Sequence, residues 1–294
     1  MSSQSRPRPY RLTPYLFLTP NVAIFVVFII APAIYNFFLS LYRTSPFRPP
    51  VFVGPENFLY LLQKDDLFWR AVRNIVVFVV GDVTLITGLS VLIGVLLNQN
   101  VRFRGFFRSA FFYPVLLSPV VVALVWQWIL NTQFGVLNAV LQGLGLARQP
   151  WLLRADWAMF WTIFVHVWAT LGFFAMIVLA GLQAIPATLY EAADIDGAGR
   201  WKTFRHVTVP MLMPTLMVVL ILGMIRSFEV FDHIYVLTGG GPGTATLLVV
   251  QYIYRSAFQL DQFGLAAAAS LVLFVVIFTL TVTQYLLGRF RESM

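Results

Sequence analysis

Residues 184–210 read AIPATLYEAADIDGAGRWKTFRHVTVP and lie between two long apolar runs. Residues that favour helix follow Pro186, and Gly197 and Gly199 come after them, so a short helix is expected to end at a sharp turn. Apolar side chains then recur at helical spacing as far as Pro210: Trp201, Phe204 and Val207. The stretch predicts a helix-turn-helix with exposed apolar and aromatic surface, and such a surface needs a partner.

The apolar runs around this stretch are each long enough to cross a bilayer, which takes about 20 helical residues. Residues 157–182 precede it and residues 211–236 follow it; the other runs are residues 22–42, 75–97, 111–130 and 265–287. Lipid offers the backbone no hydrogen-bond partners, and the alternating pattern of a membrane β-barrel is absent, so each run is expected to be helical. The sequence predicts an all-α polytopic membrane protein with six transmembrane helices.

The composition agrees with a surface that mostly faces lipid. Of the 294 residues, 59% are hydrophobic and only 11% are charged, whereas a soluble domain is about a quarter charged. The net charge of +8 comes from short basic clusters beside the apolar runs, which indicates membrane topology and anionic lipid headgroups rather than nucleic acid. The absence of Cys excludes disulfides, thiol nucleophiles and Cys-ligated metals. No linker interrupts residues 1–294, so a single transmembrane domain is expected.

Three of the predicted spans, the first, the third and the fifth, are expected to be irregular. Pro32, Pro114 and Pro119 each remove a backbone donor, so kinks are expected in the first and third spans. Charged residues interrupt the outer part of the fifth span, whose far end is therefore expected to be irregular and buried in protein: Arg226, Glu229 and Asp232.

The positive charges predict an orientation in the membrane. The N-terminal tail (residues 1–21), the connections around Arg104 and Gly197, and the C-terminal tail are richer in Lys and Arg than the connections that alternate with them. Because cytoplasmic loops carry the excess of positive charge, both termini and the loop of residues 183–210 are expected in the cytoplasm.

The same loop carries a resemblance to a known family. Residues 191–198 match E-A-A-x-x-D-G-A, a downstream aromatic is present at Phe204, and V-P-x-x-x-P begins at Val209. This pattern resembles the coupling loop of binding-protein-dependent ABC importer permeases. Residues 180–186 (AGLQAIP), 228–242 (FEVFDHIYVLTGGGP) and 126–131 are similar to the carbohydrate branch, of the maltose and glycerol-3-phosphate permease type. The likeness extends from about residue 12 to the C-terminus.

The resemblance implies a type I importer permease in a prokaryotic cell membrane. The implied partners are a second permease subunit in a heterodimer, two ATP-binding subunits, an extracytoplasmic solute-binding protein, and a sugar or sugar-like solute. The loop would lie in a groove of an ATP-binding subunit, through residues that match the family's motif: Glu191, Ala192, Ala193, Asp196, Gly197, Phe204 and Pro210. The sequence contains no G-x-x-x-x-G-K-[ST] motif, so ATP is expected to be bound and hydrolysed by the partner subunit, and this chain is expected to have no cofactor and no enzymatic activity.

Polar side chains inside the apolar spans are candidates for the solute path. Asp82, His166 and Arg226 would each cost about 2.5–3.5 kcal/mol if they faced lipid, so they should face the protein interior or water. A structural ion pair between Asp82 and Arg226 would satisfy this cost as well as solute contact would. The resemblance favours solute contact, because related permeases line the solute site with the fourth and fifth spans; the matching residues are His166, Trp168, Thr170, Phe173, Arg226 and Ser227. Trp168 and Phe173 would stack on a sugar ring, and the others would hydrogen-bond its hydroxyls.

Two other classes of protein account for less of the sequence than a permease does. A secondary transporter would explain the spans but not an amphipathic helix-turn-helix in the cytoplasm, and interrupted inverted repeats are not evident. An intramembrane enzyme would need converging acid, base or metal ligands, and His166, His206 and His233 share no metal-ligand spacing. The solute itself stays open among sugars, polyols and glycerol phosphates.

Overall fold

The computed structural model describes residues 13–46, 48–99 and 102–292, most of them in helices. The helices and strands are α1 (Thr13–Phe25), α2 (Ala31–Leu39), β1 (Tyr42–Ser45), β2 (Arg48–Phe52), α3 (Glu56–Gln63), α4 (Asp66–Asn98), α5 (Arg104–Phe112), α6 (Pro119–Ile129), α7 (Val136–Gly143), α8 (Ala155–Gln183), α9 (Ala187–Ile195), α10 (Arg200–Thr203), α11 (Val209–Glu229), α12 (Asp232–Leu237), α13 (Val249–Tyr254) and α14 (Phe263–Glu292). Short π-helical turns join α1 to α2 and α10 to α11, and another follows α13.

Within the described residues, five helices are long and apolar enough to cross a membrane: Tyr15–Leu39, Asp66–Asn98, Ala155–Gln183, Arg200–Glu229 and Phe263–Gly288. A sixth crossing is possible only as the pair Arg104–Leu116 and Pro119–Ile129, which is bent by 100°. The prediction of a polytopic helical membrane protein is confirmed, with five uninterrupted helices of sufficient length and a sixth span if the bent pair crosses as one.

The broken span corrects the prediction of a continuous helix over residues 111–130. Pro114 lies in a 3₁₀ turn, and Leu117 and Ser118 have extended backbone before Pro119 begins α6. Extended backbone is what the residue before a proline favours, since the proline ring clashes with a helical predecessor. The span therefore breaks at Pro119, where a kink was predicted, whereas Tyr113 before Pro114 keeps a helical backbone. At Pro32 the helix stays continuous, and a π-helical turn over Val26–Ile30 precedes the proline.

The first span is the least buried part of the described chain. Its helix begins at Thr13, so residues 13–21 are helical, although they were predicted as part of a cytoplasmic tail. The first 12 residues, which include Arg6, Arg8 and Arg11, lie outside the described residues. Every side chain from residue 15 to residue 35 is exposed, and the Asn36 side-chain amide donates to Ser270 Oγ at 2.9 Å, which ties this helix to α14.

The protein core is formed where α4, α8 and α11 pack together. Phe78, Phe174 and Leu212, one from each helix, are fully buried there. Close approach to the broken span depends on Gly172 in α8, because a Cβ at that position would lie 2.1 Å from the backbone oxygen of Phe111. The core thus brings four of the predicted spans into contact.

A β-hairpin that the all-α prediction did not include precedes α3. Strands β1 and β2 are antiparallel, with Tyr42 opposite Phe52. The Asn57 side-chain amide donates to the backbone oxygens of Ser40 and Tyr42, and Gly264 at the start of α14 lies directly against β1. The hairpin therefore caps one end of the helical bundle, and its strands are too short to alter the fold class.

Candidate functional site

A charged cavity lies where the fifth span breaks. Helix α11 ends at Glu229, Val230 is extended, and α12 begins at Asp232. This break confirms the predicted irregular end of the span. Val230 is buried there, but Arg226, Glu229 and Asp232 are exposed, so the prediction that the charged end is buried in protein is wrong for this chain alone. The cavity has a volume of about 320 Å³ and is lined by Pro114, Val115, Leu117, Pro119, His166, Ala169, Thr170, Arg226, Glu229, Val230, Phe231, Asp232 and His233.

One wall of the cavity is supported by a buried polar cluster of Asp82, His166 and Ser227. Asp82 is fully buried in α4. Its Oδ1 lies 2.7 Å from His166 Nδ1 of α8, and its Oδ2 accepts a hydrogen bond from Ser227 Oγ of α11 at 2.5 Å. Ser227 Oγ is also 2.7 Å from the backbone oxygen of Gly223, but a hydroxyl has one proton, and the carboxylate is the stronger acceptor.

These contacts explain why Asp82 can be buried, and they contradict the predicted ion pair between Asp82 and Arg226. Both carboxylate oxygens are satisfied by side chains of α8 and α11, and among the described side chains Asp82 pairs with His166 rather than with Arg226. One proton lies between Asp82 Oδ1 and His166 Nδ1, so this ring nitrogen is occupied by the aspartate. The Nε2 atom is then the ring nitrogen of His166 that remains for the cavity.

Among the described side chains, Arg226 contacts an aromatic ring and forms no ion pair with an acid. Its guanidinium carbon lies 4.3 Å from the centre of the Phe173 ring, within the range of a cation–π contact. Arg226 lines the cavity, whereas Phe173 does not and instead supports the guanidinium. The predicted stacking of a sugar on Phe173 therefore has no support in the lining of this cavity.

The remaining predicted residues divide between the cavity and other surroundings. Thr170 lines the cavity, and its hydroxyl donates to the backbone oxygen of His166 at 2.8 Å, so its lone pairs are left to accept. Trp168 does not line the cavity; its ring packs 5.6 Å from that of Trp126. Two residues along a helix rotate a side chain by about 200°, which places Trp168 on the opposite face of α8 from His166 and Thr170.

Sequence reasoning did not assign Glu229, Asp232 and His233 to the solute path, although all three line the cavity. Glu229 and Asp232 did give a signal, because they interrupt an otherwise apolar run. His233 is buried with its ring 5.4 Å from that of His166, and no pattern in the sequence pairs these two residues. In the described part of the chain, no group of three or more His, Asp or Glu is arranged to hold a metal ion.

The second candidate site is the loop between α8 and α11. Helix α9 ends in a Schellman motif: Gly197 N–H donates to the Asp194 oxygen at 3.1 Å, and Ala198 N–H donates to the Ala193 oxygen at 2.9 Å. Gly197 has φ +70°, the left-handed conformation that glycine adopts without steric cost. The predicted helix and turn are therefore present.

The second helix of this loop is longer than predicted. It does not end at Pro210 but continues as one helix over Arg200–Glu229. Proline lacks the donor that an α-helix needs, and the π-helical turn over Phe204–Thr208 lies directly before this position, where Val209 N–H bonds five residues back. The loop is thus a helix-turn-helix whose second helix is the start of the fifth span.

The residues that were predicted to contact an ATP-binding subunit differ in how exposed they are. Glu191, Ala192, Asp196, Gly197 and Pro210 are exposed, Phe204 is half-buried, and Ala193 is buried. The largest exposed apolar groups are Ile195 and Trp201, at 87% and 71% exposure, and Trp201 stacks on Phe204 with their ring centres 5.7 Å apart. Trp201 was named from the sequence as part of this apolar surface, whereas Ile195 was not, and these two are the most exposed large apolar side chains of the loop.

Comparison with known proteins identifies the family. Residues 86–292 match the family model described as "Binding-protein-dependent transport system inner membrane component". Because this match covers more than half of the chain, the protein belongs to that family and is a multi-pass membrane permease.

Several relatives are similar along almost the whole chain. The probable ABC transporter permease protein YurN of Bacillus subtilis is 38% identical, with 93% of this chain and 95% of that protein covered. The trehalose/maltose transport system permease protein MalF of Thermococcus litoralis is 37% identical, with 95% and 94% covered. A chain in the crystal structure of a bacterial alginate ABC transporter, in complex with alginate pentasaccharide-bound periplasmic protein, superimposes with a TM-score of 0.81 at 26% identity, with 92% of each chain covered. The importer permease fold is therefore shown.

Proposed function

We propose that this chain is one permease subunit of an ATP-driven importer for a neutral saccharide, and that the cavity at the α11–α12 break forms part of the solute path. The observation that carries the proposal is a cavity of about 320 Å³ lined by charged and polar side chains within a strongly apolar protein. Its volume is at the lower end of the range of ligand sites, about 300–1,000 Å³.

The polar groups of the cavity suit hydroxyl groups, which both donate and accept hydrogen bonds. The carboxylates of Glu229 and Asp232 accept, the guanidinium of Arg226 donates, and Thr170 offers lone pairs. Two carboxylates and one guanidinium line the cavity, so its charge opposes an anionic solute. This balance favours neutral sugars and polyols over glycerol phosphates. The trehalose/maltose permease, at 37% identity, supports the same class, whereas the alginate transporter, at 26–27% identity, imports an acidic polysaccharide.

The energy would come from other chains. In this proposal, the loop of residues 183–210 lies in the cytoplasm and docks Ile195 and Trp201 into a groove of an ATP-binding subunit, which binds and hydrolyses ATP. The support is the exposure of these two side chains and the family to which the chain belongs. The assembly would contain two such subunits, an extracytoplasmic binding protein, and a second permease subunit against the apolar helices that this chain leaves exposed. Both termini would then be cytoplasmic.

The test is uptake by the complete transporter in liposomes, with its binding protein and ATP-binding subunit, at limiting solute. Arg226→Gln and Glu229→Gln are expected to reduce uptake of a neutral disaccharide at least tenfold, because each removes a charged hydrogen-bonding group worth about 1.5–3 kcal/mol. Trp168→Phe is the control, because Trp168 does not line the cavity. A phosphorylated glycerol is expected to be transported poorly by the unaltered protein.

The outcomes distinguish side chains that contact the solute from side chains that only stabilise the fold. Normal uptake by both cavity variants would place the solute path elsewhere, and efficient uptake of the phosphorylated glycerol would overturn the assignment to neutral solutes. His166→Ala tests the structural role of the buried polar cluster, because it leaves the buried Asp82 side chain without its imidazole partner. This variant is expected to accumulate poorly in the membrane, whereas Arg226→Gln accumulates normally.

A further inference from the structure

Two arginines at the start of α5 converge on one side chain at the end of α8. The Gln183 amide is oriented with its oxygen towards the guanidinium groups, because only that orientation pairs an acceptor with donors; the oxygen then accepts from an Nη2 atom of Arg104 and of Arg108, each at 2.9 Å. Arg104 and Arg108 are one helical turn apart and both are half-buried. Gln183 lies just before the loop between α8 and α11.

This cluster has an excess of positive charge and of hydrogen-bond donors. Two cations that share one neutral oxygen repel each other, and the described side chains include no carboxylate in an ion pair with either arginine. The Nε atoms of both arginines are buried and have no hydrogen-bond partner among the described residues. A buried donor without a partner is costly, and so is a buried like-charge pair. An anion that lies against the two guanidinium groups would remove the like-charge repulsion.

The surroundings of the cluster indicate which kind of anion fits. Phe103, Phe106 and Phe107 next to the arginines are exposed, at 69%, 69% and 43%. Arginine interleaved with exposed aromatic side chains is typical of a helix that lies at a membrane surface, and basic pockets between spans bind lipid headgroups. The first turn of α5 adds backbone N–H groups that favour negative charge.

We propose that Arg104 and Arg108 bind the phosphate group of an anionic phospholipid, with the exposed phenylalanines against its acyl chains. Guanidinium groups match phosphate oxygens in a bidentate geometry. The bound headgroup also holds the start of α5 against the end of α8. This site is separate from the solute cavity, so it does not depend on which solute the protein carries.

The test measures lipid selectivity of the purified full-length chain in a neutral detergent. Spin-labelled phosphatidylglycerol is compared with spin-labelled phosphatidylcholine, and the ratio of their association constants is the readout. Arg104→Gln and Arg108→Gln are each expected to lower this ratio about fivefold, since one basic residue near an anionic lipid is worth about 1 kcal/mol. Arg102→Gln is the charge-matched control; Arg102 lies over the Phe103 ring, outside the cluster. If a Gln variant fails to fold, Arg104→Lys and Arg108→Lys keep the charge and are expected to lose less than half of the selectivity.

Each outcome decides for or against the site. Equal losses in Arg102→Gln and Arg104→Gln would mean general electrostatic attraction and would overturn the proposal. So would an unaltered chain that binds the two lipids equally. If millimolar inorganic phosphate displaces the labelled phosphatidylglycerol, the cluster is a site for a free anion and the lipid assignment is wrong. Selective loss in the Arg104 and Arg108 variants, without displacement by phosphate, supports the lipid site.

Discussion

The turn after α9 offers a sharp test of the proposed coupling role, because two glycines in it differ mainly in backbone conformation. Gly197 has φ +70° and Gly199 has φ −67°, and a Cβ added to either would meet nothing within 4 Å. A serine at position 197 therefore has only the backbone strain to overcome, about 1–2 kcal/mol. A serine at position 199 precedes α10 as its N-cap, where serine is favoured. The same substitution is thus expected to destabilise one position and not the other.

The assay is co-purification of the ATP-binding subunit with the permease from membranes, together with uptake. If the groove of that subunit binds only the native turn, Gly197→Ser weakens association by at most about fivefold to thirtyfold, which is the population change for 1–2 kcal/mol. Gly199→Ser is expected to associate normally, and Gly197→Asn to fall between the two, since asparagine tolerates the left-handed region best among the other residues. Equal association of the two serine variants, at equal amounts in the membrane, would show that the native turn is not what the partner binds.

Three further predictions concern other parts of the chain. Gly264→Ala is expected to displace the hairpin and lower the unfolding temperature in detergent, because the added Cβ would lie 1.8 Å from a backbone oxygen of β1; Gly88→Ala, whose Cβ meets nothing within 4 Å, is the control. Tyr252→Phe is expected to cost about 1.5–3 kcal/mol of stability in the same measurement, because the buried hydroxyl donates to the Asp65 carboxylate at 2.6 Å. Burial and the adjacent Asp65 raise the pKa of Tyr252, so this contribution should be fully present below about pH 10, the ordinary tyrosine pKa. A Cys introduced at Gly145 should react with an impermeant thiol reagent only from outside the cell, and reaction only from the cytoplasm would contradict the proposed orientation.

The helical, membrane-spanning class and the helix-turn-helix of residues 183–210 were predictable because both depend on local sequence. An apolar run that is long enough to cross lipid must be helical, so its structure follows from its own sequence. Pro186 before and Gly197 after the acidic residues predict a capped helix, which the structure shows. The break at the end of the fifth span was also predictable, since Glu229 and Asp232 cannot face lipid.

The partners of the polar side chains could not be read from the sequence. Whether Asp82 pairs with Arg226 or with His166 depends on the rotation and vertical offset of three helices, which no local pattern specifies. The face of Trp168 could have been anticipated, because helical periodicity alone separates it from His166. The 100° bend in the third span needed more than the presence of Pro114 and Pro119, since prolines often only kink a helix that neighbouring helices hold in place.

One continuous helix runs from the turn after α9 to the charged cavity, over Arg200–Glu229. At 1.5 Å per residue this helix is about 45 Å long. A tilt of about 5° around one end of the helix displaces the other end by about 4 Å. Movement of the turn by a partner therefore needs no relay of side chains to reach Arg226 and Glu229. In the proposed assembly, a small tilt of this helix at the groove of the ATP-binding subunit would move the cavity wall by about the width of a hydroxyl group.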